Sequence, residues 1–199
     1  MKRRREMGRH KEYDTQKVLD AATLEFLDKG YKGASVNDLV KATKLNKHSM
    51  YQEFGSKDGL FSECLDNYVR AIDQGGGHVL RRQPLGLANI EEFFRYRLDY
   101  AYARSGNGCL LVTTVVERSQ LGEMALKLLE YHWDLQKADF ELCLRAAQVQ
   151  GHIPKEKHIK GLTNYLFALL VGVLVMVKGG ADRPSIDEVV GLAMVSVRR

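Results

Sequence analysis

The sequence predicts an all-α fold: an N-terminal three-helix head of helix-turn-helix type, followed by a larger helical body. Three observations predict it. Apolar residues recur at helical spacing, i, i+3 and i+4, along nearly the whole chain. Residues 35–57, SVNDLVKATKLNKHSMYQEFGSK, read as two short helices joined by a tight turn and stopped by a capped third. Residues 120–150 gather their polar side chains onto one narrow sector of a long helix.

The chain opens with Lys2-Arg3-Arg4-Arg5, Arg9 and Lys11, a basic arm over residues 1–12. Two readings of it stand, a contact to a nucleic-acid backbone or minor groove and a solubilising tail. The first helix is expected from Asp14 to Lys29, burying Val18, Leu19, Ala22 and Phe26, with Gly30 as its stop. Ser35 stands where an N-cap belongs, and Asp38 three residues later can return a bond to the Ser35 backbone. Val36, Leu39 and Val40 then share a buried face. Thr43-Lys44 interrupts the pattern, Leu45 anchors the turn, and Asn46 can cap a helix that carries Met50, Tyr51 and Phe54 inward. The opposite face of that helix is polar: Lys47, His48, Ser49 and Gln52. Gly55 ends it as a C′ glycine, and Ser56 caps a fourth helix that runs to about Asp73 and buries Leu60, Phe61, Cys64, Leu65 and Tyr68.

Phe26, Gly30 and Tyr31, then Ser35, Val36, Leu45, Lys47, Tyr51, Phe54, Ser56, Lys57 and Leu60, together resemble the TetR family of bacterial transcriptional regulators over roughly the first 65 residues. Lys44, where a glycine is common, His48, where a small residue is usual, and Gly59, where a helix former is usual, depart from the family pattern. The resemblance implies a protein that binds a palindromic operator in double-stranded DNA. It implies that Lys47, His48 and Gln52 face major-groove base edges, and that Ser49 reaches a phosphate or a thymine methyl. Tyr51 would give its ring to the core and its hydroxyl to phosphate, while Ser35 and Lys57 grip the backbone. Only the outward polarity of the recognition helix is read from the residues themselves. Further implications are a repressor rather than an activator, and release by an effector whose binding moves helix four as a lever.

Gly75-Gly76-Gly77, extended by Pro84 and Gly86, reads as a flexible break. It divides the chain into a DNA-binding head with its connecting helix, residues 13–74, and an effector-binding and dimerisation body, residues 75–199. In the body, Ile90, Phe93, Phe94, Leu98 and Ala101 define an amphipathic helix that ends before Ser105-Gly106-Asn107-Gly108. An apolar helix follows from Cys109 to Glu117. Gly-Cys-Leu-Leu at 108–111, with Glu117 downstream, is similar to the body of one branch of the family. In the long helix of 120–150, Glu123, Lys127, Glu130, Asp134, Lys137, Glu141, Arg145 and Gln148 face water. Leu121, Ala125, Leu128, Leu135, Leu142, Ala146 and Val149 fill one edge of the apolar arc; Leu126, Leu129, Trp133, Phe140 and Leu144 fill the other. His132, Gln136 and Asp139 interrupt the arc, and buried polar groups need partners. Either they supply the polar contacts of an effector pocket among Phe94, Tyr96, Tyr100 and Trp133, or they pair with neighbouring helices. The next helix is expected from Pro154 at N1 to Lys178, with Gly161, Ala168 and Gly172 on a single face. The last is expected to start at Ser185, with Glu188 completing a capping box, and to bury Ile186, Val189, Val190, Ala193 and Val197. Two such apolar helices exceed what one body covers, so a homodimer through the last two helices is expected, as the resemblance also implies.

Charge placement agrees with a nucleic-acid partner. Residues 1–60 hold 13 Lys and Arg against 9 Asp and Glu, whereas residues 61–199 hold 17 against 16. Three widely spaced cysteines, Cys64, Cys109 and Cys143, form no CxxC pair, which fits a reducing, cytoplasmic setting. The charged N-terminus is followed by no apolar signal core. The longest apolar run, Tyr165 to Val177, has 13 residues, short of the ~20 a membrane span needs. No HExxH, GxSxG or phosphate-binding loop appears, so neither an enzyme nor a cofactor is expected. His78, His132, His152 and His158 lack the spacing of metal ligands, and no metal site is expected. Cys109 opens a helix, an electropositive position for a thiol. Oxidant or electrophile sensing through Cys109 therefore stands beside small-molecule release, with an inert core cysteine as the plain alternative; an architectural DNA binder without effector and a scaffold whose body binds another protein are the rival readings.

Overall fold

Helix α1 (Thr15–Gly33) starts where it does because the Asp14 carboxylate accepts from the backbone N–H of Gln16 at 3.0 Å and of Lys17 at 3.4 Å. In the computed structural model, which describes residues 13–103 and 108–199, every regular element is helical. The basic arm and residues 104–107 lie outside the described residues. Gly30, with φ 72° and ψ 174°, breaks α1 three residues before its end. Helix α2 (Val36–Thr43) carries the expected reciprocal cap: Ser35 Oγ accepts from Asp38 N at 3.1 Å, and Asp38 Oδ2 accepts from Ser35 N at 3.0 Å. Lys44 then takes φ 58°, the left-handed conformation a glycine adopts without strain, so the turn geometry is kept despite the departure from the family pattern. Asn46 caps α3 (Lys47–Phe54) through Ser49 N at 2.8 Å, and Ser56 caps α4 (Lys57–Ile72) through Gly59 N at 3.0 Å. The head closes on an aromatic knot. The Phe26 and Phe61 rings meet edge to face at 4.9 Å and Tyr31 meets Phe61 at 5.1 Å.

The triple glycine is not a break. Helix α4 continues through a wide π turn (Asp73–Gly77) into the short α5 (His78–Arg81). The glycines are there for close approach: a Cβ on Gly75 would overlap the Tyr96 hydroxyl, and one on Gly76 would lie 3.0 Å from the Phe93 ring. Helices α6 (Leu87–Ala103), α7 (Leu110–Val116), α8 (Glu123–Val149), α9 (Ile159–Lys178) and α10 (Arg183–Arg198) build the rest of the body, with a short 3-10 turn (Arg118–Gln120) before α8. Its centre is Phe93, Phe94 and Phe140, all fully buried, with Phe94 stacked on Phe140 at 6.0 Å. Each such ring contributes roughly 1.5–3 kcal/mol by leaving water.

Two helix starts differ from expectation. Pro154 does not open α9, which begins at Ile159; the Pro154 carbonyl instead accepts from Lys157 N at 3.1 Å and from the Gln148 side-chain amide at 3.0 Å, closing a turn. Nor is Ser185 an N-cap. Asp182, three residues earlier, accepts from Ser185 N at 2.8 Å and from its hydroxyl at 3.1 Å, so α10 starts at Arg183 with Pro184 in its first turn. The 13-residue apolar run lies inside a 20-residue helix that is, by length and composition, long enough to cross a membrane; in this fold one face of it, Leu166, Leu170, Val173, Leu174 and Val177, is packed into the core. On α8, Leu135, Leu142 and Val149 are 40%, 53% and 90% exposed rather than buried, because the apolar arc is wider than the surface the body lays against it.

Candidate nucleic-acid interface and effector site

Met50 fastens the recognition helix. It is the one fully buried side chain of α3, seated against the α1, α2 and α4 core, and it turns Lys47, His48 and Gln52 to solvent. Ser49 is half-buried and its N–H is taken by the Asn46 cap. Tyr51 corrects the sequence reading: at 39% exposed its ring lies on the open face of the helix beside Lys47, His48 and Gln52, not in the core. The cause is helical phase. An eight-residue helix has room for one inward row, and Met50 with half-buried Phe54, four residues apart, fills it.

Around the helix start of α4 the side chains are tied to one another. Lys57 Nζ lies 4.5 Å from the centre of the Tyr31 ring, and partial burial holds its ammonium below the usual lysine value. The Tyr31 hydroxyl donates to Asp58, while burial, then that carboxylate, push the phenol up. Ser35 Oγ also donates to Asp38 Oδ2 at 2.6 Å, so its hydroxyl is engaged within the cap. Lys29 bridges Glu25 at 2.7 Å and Asp38 at 2.9 Å, which ties α1 to the start of α2.

In the body the seven residues assigned to an effector fall into separate settings. Phe94 belongs to the ring core, and Trp133 meets Phe167 of α9 edge to face at 5.2 Å. Tyr96 stacks on Tyr100 at 6.1 Å, and Tyr100 meets Tyr68 at 5.8 Å. Of the seven, Tyr100 lines a cleft of about 620 Å³ between α1 and α4, shared with Thr23, Asn67, Tyr68 and Gln74. Asp139 has a partner, Arg81 at 3.1 Å, and Arg81 also bonds Asp73 at 2.5 Å, so the pairing reading holds for that residue. His132 and Gln136 are buried; the Gln136 side-chain nitrogen has no hydrogen-bond partner among the described residues. Burial, then the Arg97 guanidinium, pull the His132 pKa down to about 4.

Arg97 is the residue that sequence reasoning passed over. It is 3% exposed, its Nε has no hydrogen-bond partner among the described residues, and its Nη2 lies 3.1 Å from Cys109 Sγ. The signal was in the spacing: Phe93, Arg97 and Ala101 stand four apart on the buried face of α6. Cys109 is buried beside it, with the Tyr68 phenol raised mainly by burial. Cys64 and Cys143 differ in kind. Each donates to a backbone carbonyl, Leu19 and Leu80, and burial pushes their thiols up to about 12 and about 11.

Comparison with known proteins bears on this arrangement. Residues 18–64 match the family model described as bacterial regulatory proteins, tetR family, which spans α1 to α4 and so contains the whole motif. Over 190 residues the chain is 25% identical to the HTH-type transcriptional repressor ComR of Escherichia coli (strain K12), covering 94% of this chain and 90% of that one. A cysteine-substituted form of the TetR family transcriptional regulator CifR, solved in complex with 26-bp double-strand operator DNA, superposes with a TM-score of 0.80 at 26% identity, over 96% of this chain and 100% of that one. A TetR family regulator from Agrobacterium tumefaciens shares the fold at a TM-score of 0.84 and 14% identity, over 92% and 97% of the two chains. With the capped motif, the polar recognition helix and these matches in agreement, residues 18–64 match the DNA-binding head of the tetR family, and the chain resembles TetR family transcriptional regulators along its length.

Proposed function

We propose that the protein is a cytoplasmic repressor that binds a palindromic operator as a homodimer and is released by a small-molecule effector. The observation that carries the reading is the open face of α3: Lys47, His48, Tyr51 and Gln52 all reach solvent from a helix fixed by a single buried anchor. Donors on such a face suit major-groove base edges. Two repressor relatives and an operator complex among the structural neighbours support the same reading. Dimerisation is supported by the outer faces of α9 and α10, where Gly161, Ala168 and Gly172 are exposed together with Tyr165, Val175, Leu192 and Val195. A two-fold pair would present two recognition helices about 34–36 Å apart or a multiple of that, and so select a palindrome.

The test is a contrast of two substitutions on a mapped operator. Gln52→Ala is expected to relax discrimination at particular bases by about 1–3 kcal/mol. Lys57→Ala is expected to weaken binding to every sequence and to lower the salt slope by about one. Equal effects of both on all sequences would remove the base-reading role of α3.

A second reading, release by an oxidant or electrophile, is favoured by the Arg97–Cys109 contact, which sets a buried guanidinium nitrogen 3.1 Å from the Cys109 sulfur. Cys109→Ser is then expected to abolish release from DNA by peroxide or an electrophile. Unchanged release in that variant would leave the small-molecule reading alone.

A further inference from the structure

At the break in α1 three backbone groups take their partners from the body. In an unbroken helix the Leu27 carbonyl would accept from Tyr31 N, four residues on. Gly30, at φ 72°, prevents that. Tyr31 N instead donates to Glu117 Oε2 at 2.6 Å, and Lys32 N to Glu117 Oε1 at 3.0 Å. On the other side of the break, Lys178 Nζ donates to the Leu27 carbonyl at 2.7 Å and also reaches Thr113 Oγ1 at 3.3 Å. An anion thus meets the donor end and a cation meets the acceptor end, each matched to the dipole of the helical piece it holds. Glu117 caps α7 and Lys178 ends α9, so the two clamping residues belong to two different body helices. The fit is close. A Cβ on Gly30 would stand 2.8 Å from Glu117 Oε2, so the glycine serves the clamp twice, through its φ and through its lack of a side chain.

We infer that Glu117 and Lys178 are positioning residues for DNA recognition, a two-point clamp on the Gly30 break that sets the angle at which the head leaves the body. The inference rests on the DNA-binding reading above. It adds a route from body to head that does not pass through α4: α7 has Cys109 at one end and Glu117 at the other, and Thr113, bonded to the Cys109 carbonyl at 3.3 Å, also receives Lys178. A shift of α7 therefore acts on α1 directly.

The experiment pairs amide hydrogen exchange with operator binding on the full chain. In Glu117→Ala, exchange at Tyr31 and Lys32 is expected to rise about tenfold or more, the value of losing a charge-assisted bond. Affinity for the full palindrome is expected to fall by a similar factor, with the affinity for one isolated half-site and the salt slope unchanged, since no DNA contact is removed. Lys178→Met, which keeps the length of the side chain, is expected to show the same loss on the palindrome with the Tyr31 and Lys32 amides still protected. Should Glu117→Ala fail to fold, Glu117→Gln keeps one acceptor oxygen and is expected to deprotect one of the two amides. Unchanged exchange in the Glu117 variants would overturn the clamp, and so would faster exchange with unaltered palindrome affinity. A wild-type protein that protects no operator at all would instead defeat the DNA-binding reading, and is read from the unsubstituted chain before any variant is made.

Discussion

His132 sits on the buried face of α8 and is held neutral, its pKa drawn down to about 4 by burial and then by Arg97. An unfolded histidine titrates near 6.5, so between these values the unfolded chain binds the proton and the folded chain does not. The stability contributed by the neutral ring is therefore complete above about pH 6.5 and is lost as pH falls from there toward 4. In urea unfolding at pH 7.5 and pH 5.0, the wild type is expected to lose about 2 kcal/mol more than His132→Gln, at 1.36 kcal/mol for each pH unit below 6.5. An identical loss in both proteins would mean that His132 is hydrated in the fold. Single residues were legible in the sequence where their partners are local. Ser35, Asn46 and Ser56 act within three residues of themselves, and each is the cap its type and position predict. Glu117 was not legible in its clamping role, because the amides it holds lie 86 and 85 residues away. Arg97 was passed over although it intrudes on an apolar face, and its contact with Cys109 depends on the meeting of two elements that only the fold supplies.

Helix ends show where local signals compete. Ser185 with Glu188 satisfies the capping-box pattern, but Asp182 satisfies the cap rule as well and stands upstream, so the helix nucleates at the earlier residue and the serine becomes a donor to it. Asp182→Ala is accordingly expected to cost about 1 kcal/mol in chemical unfolding, and Ser185→Ala a few tenths. The reverse order would restore Ser185 as the cap. Gly75-Gly76-Gly77 was misread for a related reason: glycine marks both flexible chain and close approach, and composition cannot separate them until Phe93 and Tyr96 of α6 are seen packed against the turn. The start of α9 was misplaced because proline suits the first turn of a helix and also a tight turn, and here the buried Ile153 fixes the chain in the second. The two-helix motif itself was legible because every signal in it agreed, from the Ser35 box to Gly55 at φ 72°.

A single copy of the chain leaves apolar surface open on α9 and α10, and the proposed dimer covers it. Leu192 is 72% exposed in the middle of α10 and Gly172 offers no side chain to hold a partner backbone away. Leu192→Asp is expected to shift sedimentation from dimer to monomer at micromolar concentration while the far-ultraviolet spectrum stays helical; a dimer that persists would move the interface elsewhere. The fold class was legible from periodicity and from the head motif. The residues assigned to an effector are brought to different neighbours, which periodicity along one helix does not reveal: Asp139 to Arg81, Trp133 to Phe167, Phe94 to Phe140. All of this turns on operator recognition. Footprinting of the DNA upstream of the protein's own gene, repeated across a salt series, addresses it with the fewest assumptions. A protected palindrome that persists as salt rises, with half-sites one helical turn apart or a multiple of that, is the predicted result. Weak protection spread evenly over all sequences and lost at moderate salt would contradict it.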